Sequence, residues 1–147
     1  MNKEEETAKK TYNHIANFYH DKRTKMHPGG WFFNEYLEMP STLELLGDIK
    51  DKKILDYGCG SGIYTAILTK KGAKVKGFDI SEEMLKIARK DNPSIQFKQG
   101  SGYNIPFKEK FDIILASLVV HYMKDWNRMF KEMSRVLQKG GTVIFST

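Results

Sequence analysis

At 147 residues, with 40% hydrophobic and 29% charged side chains, the chain has the size and balance of one globular domain, which excludes disordered, collagenous and low-complexity classes. No run reaches the roughly 18 apolar residues of a spanning helix, MNKEEETAKK lacks the apolar stretch of a secretory signal, and a single cysteine excludes an internal disulfide, so a cytoplasmic protein without a membrane partner is expected. The net charge of +6 arises from 24 basic and 18 acidic residues, and its lysines (Lys9, Lys52 and Lys124 among them) are scattered, which reads as solvated surface and makes nucleic acid an unexpected partner.

Tyr12, Ile15, Ala16 and Tyr19 fall on one face of a helix over about 4–20. His27-Pro28-Gly29-Gly30 breaks it, and Trp31 to Met39 reads as a second helix ended by Pro40. Ser41-Thr42-Leu43-Glu44 fits a capping box opening a third helix, which Gly47 stops. From Lys53 strands and helices alternate. Lys53 to Tyr57 is a strand, a helix from about Ile63 buries Ile63, Ala66 and Ile67 and ends at Gly72, and Lys74 to Ile80 is a second strand. Ser81 caps a helix that buries Met84, Leu85 and Ala88 and stops at Asn92-Pro93. A third strand carries Ile95 and Phe97, and Phe111 to Leu118 is a fully buried fourth. Asp125 caps a helix running through Leu137 to Gly140-Gly141, before a fifth strand from Thr142 to Ser146. The expected fold is α/β, a parallel sheet with helices on both faces. Residues 1–40 would form a helical lid segment and 41–147 the ligand-binding core of one domain.

Such sheets bind ligands beyond the carboxyl ends of their strands. There the strand Ile54 to Tyr57 runs into Gly58-Cys59-Gly60-Ser61-Gly62, three alternating glycines where a tight turn needs one or two. The dinucleotide fingerprint G-x-G-x-x-G would need a glycine at Ile63, and Asp56 sets a carboxylate beside the turn, awkward for pyrophosphate and suited to a cation. Asp79 ends the second strand near the separation, about 20 residues, at which an acidic side chain reaches a ribose diol. It reads equally as a cap before Ser81 when taken alone. Ile80 and Met84 would lie against a flat base. The pattern calls for a nucleoside with a cationic tail.

D-x-G-x-G-x-G followed by an acidic residue at the second strand end resembles the class I S-adenosylmethionine-dependent methyltransferases, in the branch that modifies small molecules. Ile105-Pro106-Phe107, Phe111-Asp112, Ala116-Ser117-Leu118, His121-Tyr122 and Leu137-Gln138-Lys139-Gly140-Gly141 match that family's later stretches, and Ala16, Tyr19 and Arg23 fit its A-x-x-Y-D-x-x-R pattern with His20 where Asp is usual. The resemblance implies a Rossmann-like doubly wound sheet of five parallel strands in the order 3-2-1-4-5, and methyl transfer from S-adenosylmethionine, leaving S-adenosylhomocysteine, to a small-molecule acceptor, with no metal. It implies that Asp56, Gly58, Gly60, Gly62, Asp79, Ile80, Met84 and Ser117 hold the cofactor. Tyr12 and Tyr19 would close over it, though core packing explains them as well, and Arg23 would pair with its carboxylate. Ser101 stands where an acidic residue commonly meets the adenine amino group, so Ser101 and the Gly102 and Tyr103 backbone would hold the base. His121 is the candidate general base, and it reads equally as a turn residue donating to backbone.

Two other classes remain at this level: a noncatalytic cofactor-binding module or enzyme fragment, and a nicotinamide-dependent oxidoreductase. The family usually continues for two more strands. That leads to the expectation that the chain is the cofactor-binding part of a longer enzyme, or forms a homo-oligomer through an exposed fifth strand.

Overall fold

The computed structural model describes residues 2–25 and 33–147. The expected break at His27-Pro28-Gly29-Gly30 and the start of a helix at Trp31 lie outside these residues. Helix α1, Lys3–Thr24, exceeds its predicted length at both ends. Asn2 caps it: the Asn2 side chain accepts from the Glu5 amide at 2.9 Å and the Glu5 carboxylate accepts from the Asn2 amide at 3.0 Å.

A π-helical turn, Phe33–Glu38, runs without interruption into α2, Met39–Leu46. This corrects two expectations. Pro40 does not end a helix but sits in the first turn of α2, where a missing N–H costs nothing. Ser41 is no cap; its hydroxyl donates back to the Leu37 carbonyl at 2.7 Å. The register set by the π turn buries Glu38, whose carboxylate accepts from the hydroxyls of Tyr64 at 2.8 Å, Ser117 at 2.7 Å, Ser146 at 2.5 Å and Thr42 at 3.2 Å. Four hydroxyl donors offset the desolvation of that buried carboxylate.

The sheet has the predicted order, with strands β1 (Lys53–Tyr57), β2 (Lys74–Asp79), β3 (Gln96–Gln99), β4 (Phe111–Ala116) and β5 (Leu137–Phe145) arranged 3-2-1-4-5 and all parallel. Ile54 pairs with Val75 on one side and Ile113 on the other, placing β1 at the centre. Ile54 and Leu55 point to opposite faces and both are fully buried, each contributing about 1.5–3 kcal/mol of hydrophobic stabilisation. On one face lie α2, α3 (Ile63–Lys70) and α4 (Glu82–Asp91), packed through Leu46, Leu68, Leu85 and Ala88. On the other, α5 (Trp126–Val136) brings Met129, Met133 and Val136 onto Leu55, Phe111 and Ile114.

Helix α3 buries Tyr64, Thr65 and Leu68; Ile63, Ala66 and Ile67, the expected core face, are only half-buried. The glycine turn sets the helix rotation, and it directs Thr65 at Asp56. The boundary between α5 and β5 also differs. Leu137 leaves the helix in an extended conformation and pairs with Phe111, so Gly140 and Gly141 belong to β5 rather than ending α5. The ammonium of Lys110 donates to the carbonyls of Arg135 and Leu137 at 2.6 and 3.4 Å, capping the helix there. The predicted caps Ser81 and Asp125 are both present, accepting from the amides of Met84 and Arg128. Among the described residues no helix is long and apolar enough to cross a membrane.

Candidate functional site

The loops leaving the carboxyl ends of β1, β2 and β4 enclose a cavity with α1 across them. Helix α1 is fastened at several points. The Asn13 side chain accepts from the Ser81 hydroxyl at 2.7 Å, and the hydroxyls of Tyr12 and Tyr122 are 2.8 Å apart. His20 bridges two elements, with Nδ1 3.0 Å from the Ser61 hydroxyl and Nε2 3.3 Å from the Asp91 carboxylate. Glu4 pairs with Lys124.

The glycine turn forms one wall. Gly58, Gly60 and Gly62 have φ of 71, 51 and 81°. The amides of Gly58 and Cys59 both donate to the Phe78 carbonyl, at 3.0 and 2.9 Å, which ties the turn to the end of β2. A β-carbon on Gly58 would lie 2.6 Å from Cγ2 of Val119, so both its conformation and its surroundings demand glycine.

Two carboxylates sit behind this turn. Asp56 is 2% exposed and accepts from the Thr65 hydroxyl at 2.5 Å. Burial pushes its carboxyl up to about 7; the Thr65 bond opposes that shift and the charge of Asp79 adds to it. Asp79 accepts from the Gly60 amide on one oxygen and the Ser81 amide on the other, both at 2.8 Å. Burial raises its carboxyl as well, against those backbone donors. Arg23 supplies the balancing charge. Its Nε donates to Glu35 at 2.8 Å, while Nη2 is buried with no hydrogen-bond partner among the described residues. A buried guanidinium nitrogen without an acceptor points to an anionic group that arrives with a ligand.

Of the predicted residues, Tyr12, Tyr19, Arg23, Asp56, Gly58, Gly60, Asp79, Ile80, Met84, Gly102 and Ser117 line the cavity. Gly62, Ser101 and Tyr103 do not. Gly62 starts α3 against Ala88, Ser101 turns its hydroxyl to Glu5, and the Tyr103 hydroxyl accepts from the amides of Lys124 and Asp125 at 3.0 Å each. His121 is exposed and lines an adjoining open cleft, which shares Tyr12, Tyr19, Leu118 and Tyr122 with the cavity. Sequence reasoning missed Glu5, Tyr57, Ser61 and Tyr64 on the cavity wall. The Asn2–Glu5 capping box is a finding of the structure, and nothing local signals that Glu5 is buried. Among the described residues no group of three His, Cys, Asp or Glu side chains is placed to hold a metal ion.

Residues 55–145 match the family described as "Methyltransferase domain". The chain is 42% identical over 94 residues to a demethylmenaquinone methyltransferase of Chlorobaculum parvum, covering 63% of this chain and 39% of that protein. It is 32% identical over 149 aligned positions to the demethylmenaquinone methyltransferase of Lactococcus lactis, covering 95% of this chain and 58% of the other. An S-adenosylmethionine-dependent methyltransferase from Mesorhizobium loti superposes with a TM-score of 0.72 at 31% identity, over 78% of this chain and 55% of that one. The chain thus spans about half the length of the relatives it matches.

Proposed function

The chain belongs to the methyltransferase domain family, and we propose that it transfers the methyl group of S-adenosylmethionine to a small-molecule acceptor. The observation that carries this reading is the set of charges in one cavity: the buried carboxylate of Asp56, the half-buried one of Asp79, and the Arg23 guanidinium, whose Nη2 has no partner among the described residues, beside a glycine turn. They complement a zwitterionic amino-acid tail next to a sulfonium and a ribose.

Asp79 would hold the ribose hydroxyls. Each of its oxygens already accepts one backbone bond and retains a lone pair for a ligand hydroxyl. Arg23 would take the tail carboxylate through Nη2, and Asp56 the field of the cationic end. Gly58 leaves room for the cofactor to approach the backbone. When bound, the cofactor would supply a methyl group on a sulfonium, which would pass to the acceptor with the thioether S-adenosylhomocysteine as leaving group. The chain's own contribution is alignment between the cavity and the adjoining cleft, at the junction marked by the hydrogen-bonded Tyr12 and Tyr122. Burial raises the Tyr12 hydroxyl, which keeps it protonated there. His121, which lines the cleft, would receive a proton where the acceptor must lose one. Helix α1 would act as a cover over the cavity, and the single, buried, unpaired Cys59 accords with a reducing cytoplasm.

Thermal unfolding with S-adenosylhomocysteine and, separately, with NAD tests the reading. At about one hundred times its dissociation constant a ligand stabilises by about 2.7 kcal/mol. S-adenosylhomocysteine is expected to raise the midpoint and NAD to leave it unchanged; a shift with NAD alone would sink the proposal.

A further inference from the structure

Glu5 is the buried charged group that the reading above leaves without a task. It lies on the first turn of α1, is 4% exposed, and lines the cavity with Phe78, Met84, Gly100, Gly102 and Met123. Around Glu5 these neighbours make an apolar slot, in a cavity whose other carboxylates are Asp56 and Asp79. One Glu5 oxygen accepts from the Asn2 amide and the other from the Ser101 hydroxyl, which in turn accepts from the Tyr103 amide at 3.0 Å. Each carboxylate oxygen has a second lone pair, so the group retains capacity for a further donor.

A second feature lies in the same slot. Tyr57 is 1% exposed, lines the cavity, and its hydroxyl has no hydrogen-bond partner among the described residues. The loop after β3 rides directly over that hydroxyl: a β-carbon on Gly102 would fall 2.0 Å from Oη. The negative charge of Glu5 reaches the same hydroxyl and helps hold it protonated, behind the larger effect of burial. An acceptor-only carboxylate and an orphaned hydroxyl between apolar walls together describe a site for a flat heterocycle with an exposed N–H donor.

Resting on the cofactor reading above, we infer that Glu5 selects the base: its carboxylate accepts from the exocyclic amine of the cofactor's adenine, and Tyr57 donates to a ring nitrogen of the same base. The acid arrives from α1, across 96 residues of sequence, while the loop after β3 lines the cavity with Gly100 and Gly102, which carry no side chain. Base recognition then depends on α1 being docked. A purine with a 6-oxo group in place of the amine would set an oxygen against the carboxylate and is rejected.

The test compares S-adenosylhomocysteine with S-inosylhomocysteine, titrated calorimetrically into the full chain. The wild type is expected to prefer the adenosyl compound by at least about tenfold, the scale of one hydrogen bond to a charged group. In Glu5→Gln the preference should fall about tenfold, because the amide can turn its N–H to the 6-oxo group. Gln also supports a capping box, so α1 is retained and the unliganded melting point should change little. Glu5→Ala should weaken the adenosyl compound while leaving the inosyl compound unchanged or tighter. Parallel weakening of both ligands, or an unaltered ratio in Glu5→Gln, would overturn the inference, since a purely structural role cannot tell the bases apart. Failure of the wild type to bind S-adenosylhomocysteine would instead remove the cofactor reading, and this one with it.

Discussion

Asp56→Asn probes the electrostatics of the cavity without changing its shape. In the folded chain burial holds the Asp56 carboxyl at about 7, against 3.8 in solvent. A folded value above the unfolded one means that the native state binds the proton more tightly. Between about pH 4 and pH 7 it therefore holds more protons than the unfolded chain, and stability falls as pH rises through that window. A difference of about 3 units corresponds to roughly 4 kcal/mol, fully expressed above pH 7. Asparagine carries no charge to desolvate and can still accept from the Thr65 hydroxyl, so its own cost is about 1 kcal/mol. Urea unfolding at pH 4.5 and pH 8, without ligand, should show wild type losing roughly 3 kcal/mol more than the variant across that interval, since part of the effect is already expressed at pH 4.5. Ligand binding offers an independent reading. A cationic tail favours the carboxylate, so S-adenosylmethionine should displace a proton from Asp56 near pH 7, detectable by calorimetry in buffers of different ionisation enthalpy. Asp56→Asn should lose that release and bind more weakly. Identical pH dependence of the two proteins would refute the reasoning.

Two further substitutions address the turn and the ribose. Asp79→Ala removes the acceptor for the Gly60 and Ser81 amides and for the ligand diol, and is expected to abolish most of the thermal shift with S-adenosylhomocysteine while leaving a cooperative unfolding transition. An unchanged ligand titration would take Asp79 out of the site. Gly58→Ala combines a left-handed φ of 71° with a contact 2.6 Å from Val119, and should cost roughly 2–5 kcal/mol in urea unfolding. If the contact is responsible, adding Val119→Ala recovers part of that loss; no recovery would assign the cost to the backbone alone.

Much of the fold was legible because its signals are local. β1 at Lys53–Tyr57 is an apolar strand bounded by a glycine turn, and Ser81 and Asp125 are caps whose partners lie three residues away. Errors arose where one stretch satisfies two patterns. Leu137 continues the apolar spacing of α5, yet pairing with Phe111 makes it the first residue of β5. Ser41 and Glu44 fit a capping box, yet the π turn before Met39 carries the helix straight through. For the site, the glycine turn and Asp79 stood out because strand ends converge in any sheet of this class, so sequence position predicts spatial position there.

What the sequence determined by itself was the parallel sheet and a ligand site at its carboxyl edge, since these follow from hydrophobic period, turn chemistry and the handedness of crossover connections, while the strand order came with the family resemblance. Tertiary structure alone decided the charge state and reach of that cavity. Asp56 is shifted because the fold buries it and sets the charge of Asp79 nearby, against the Thr65 bond; Arg23 is held by Glu35 through Nε while its Nη2 has no partner among the described residues; and Glu5 reaches the cavity because α1 docks against Ser101. Desolvation and partner geometry depend on what surrounds a group in space, and residues 9 or 96 positions apart carry no local pattern that announces they will meet.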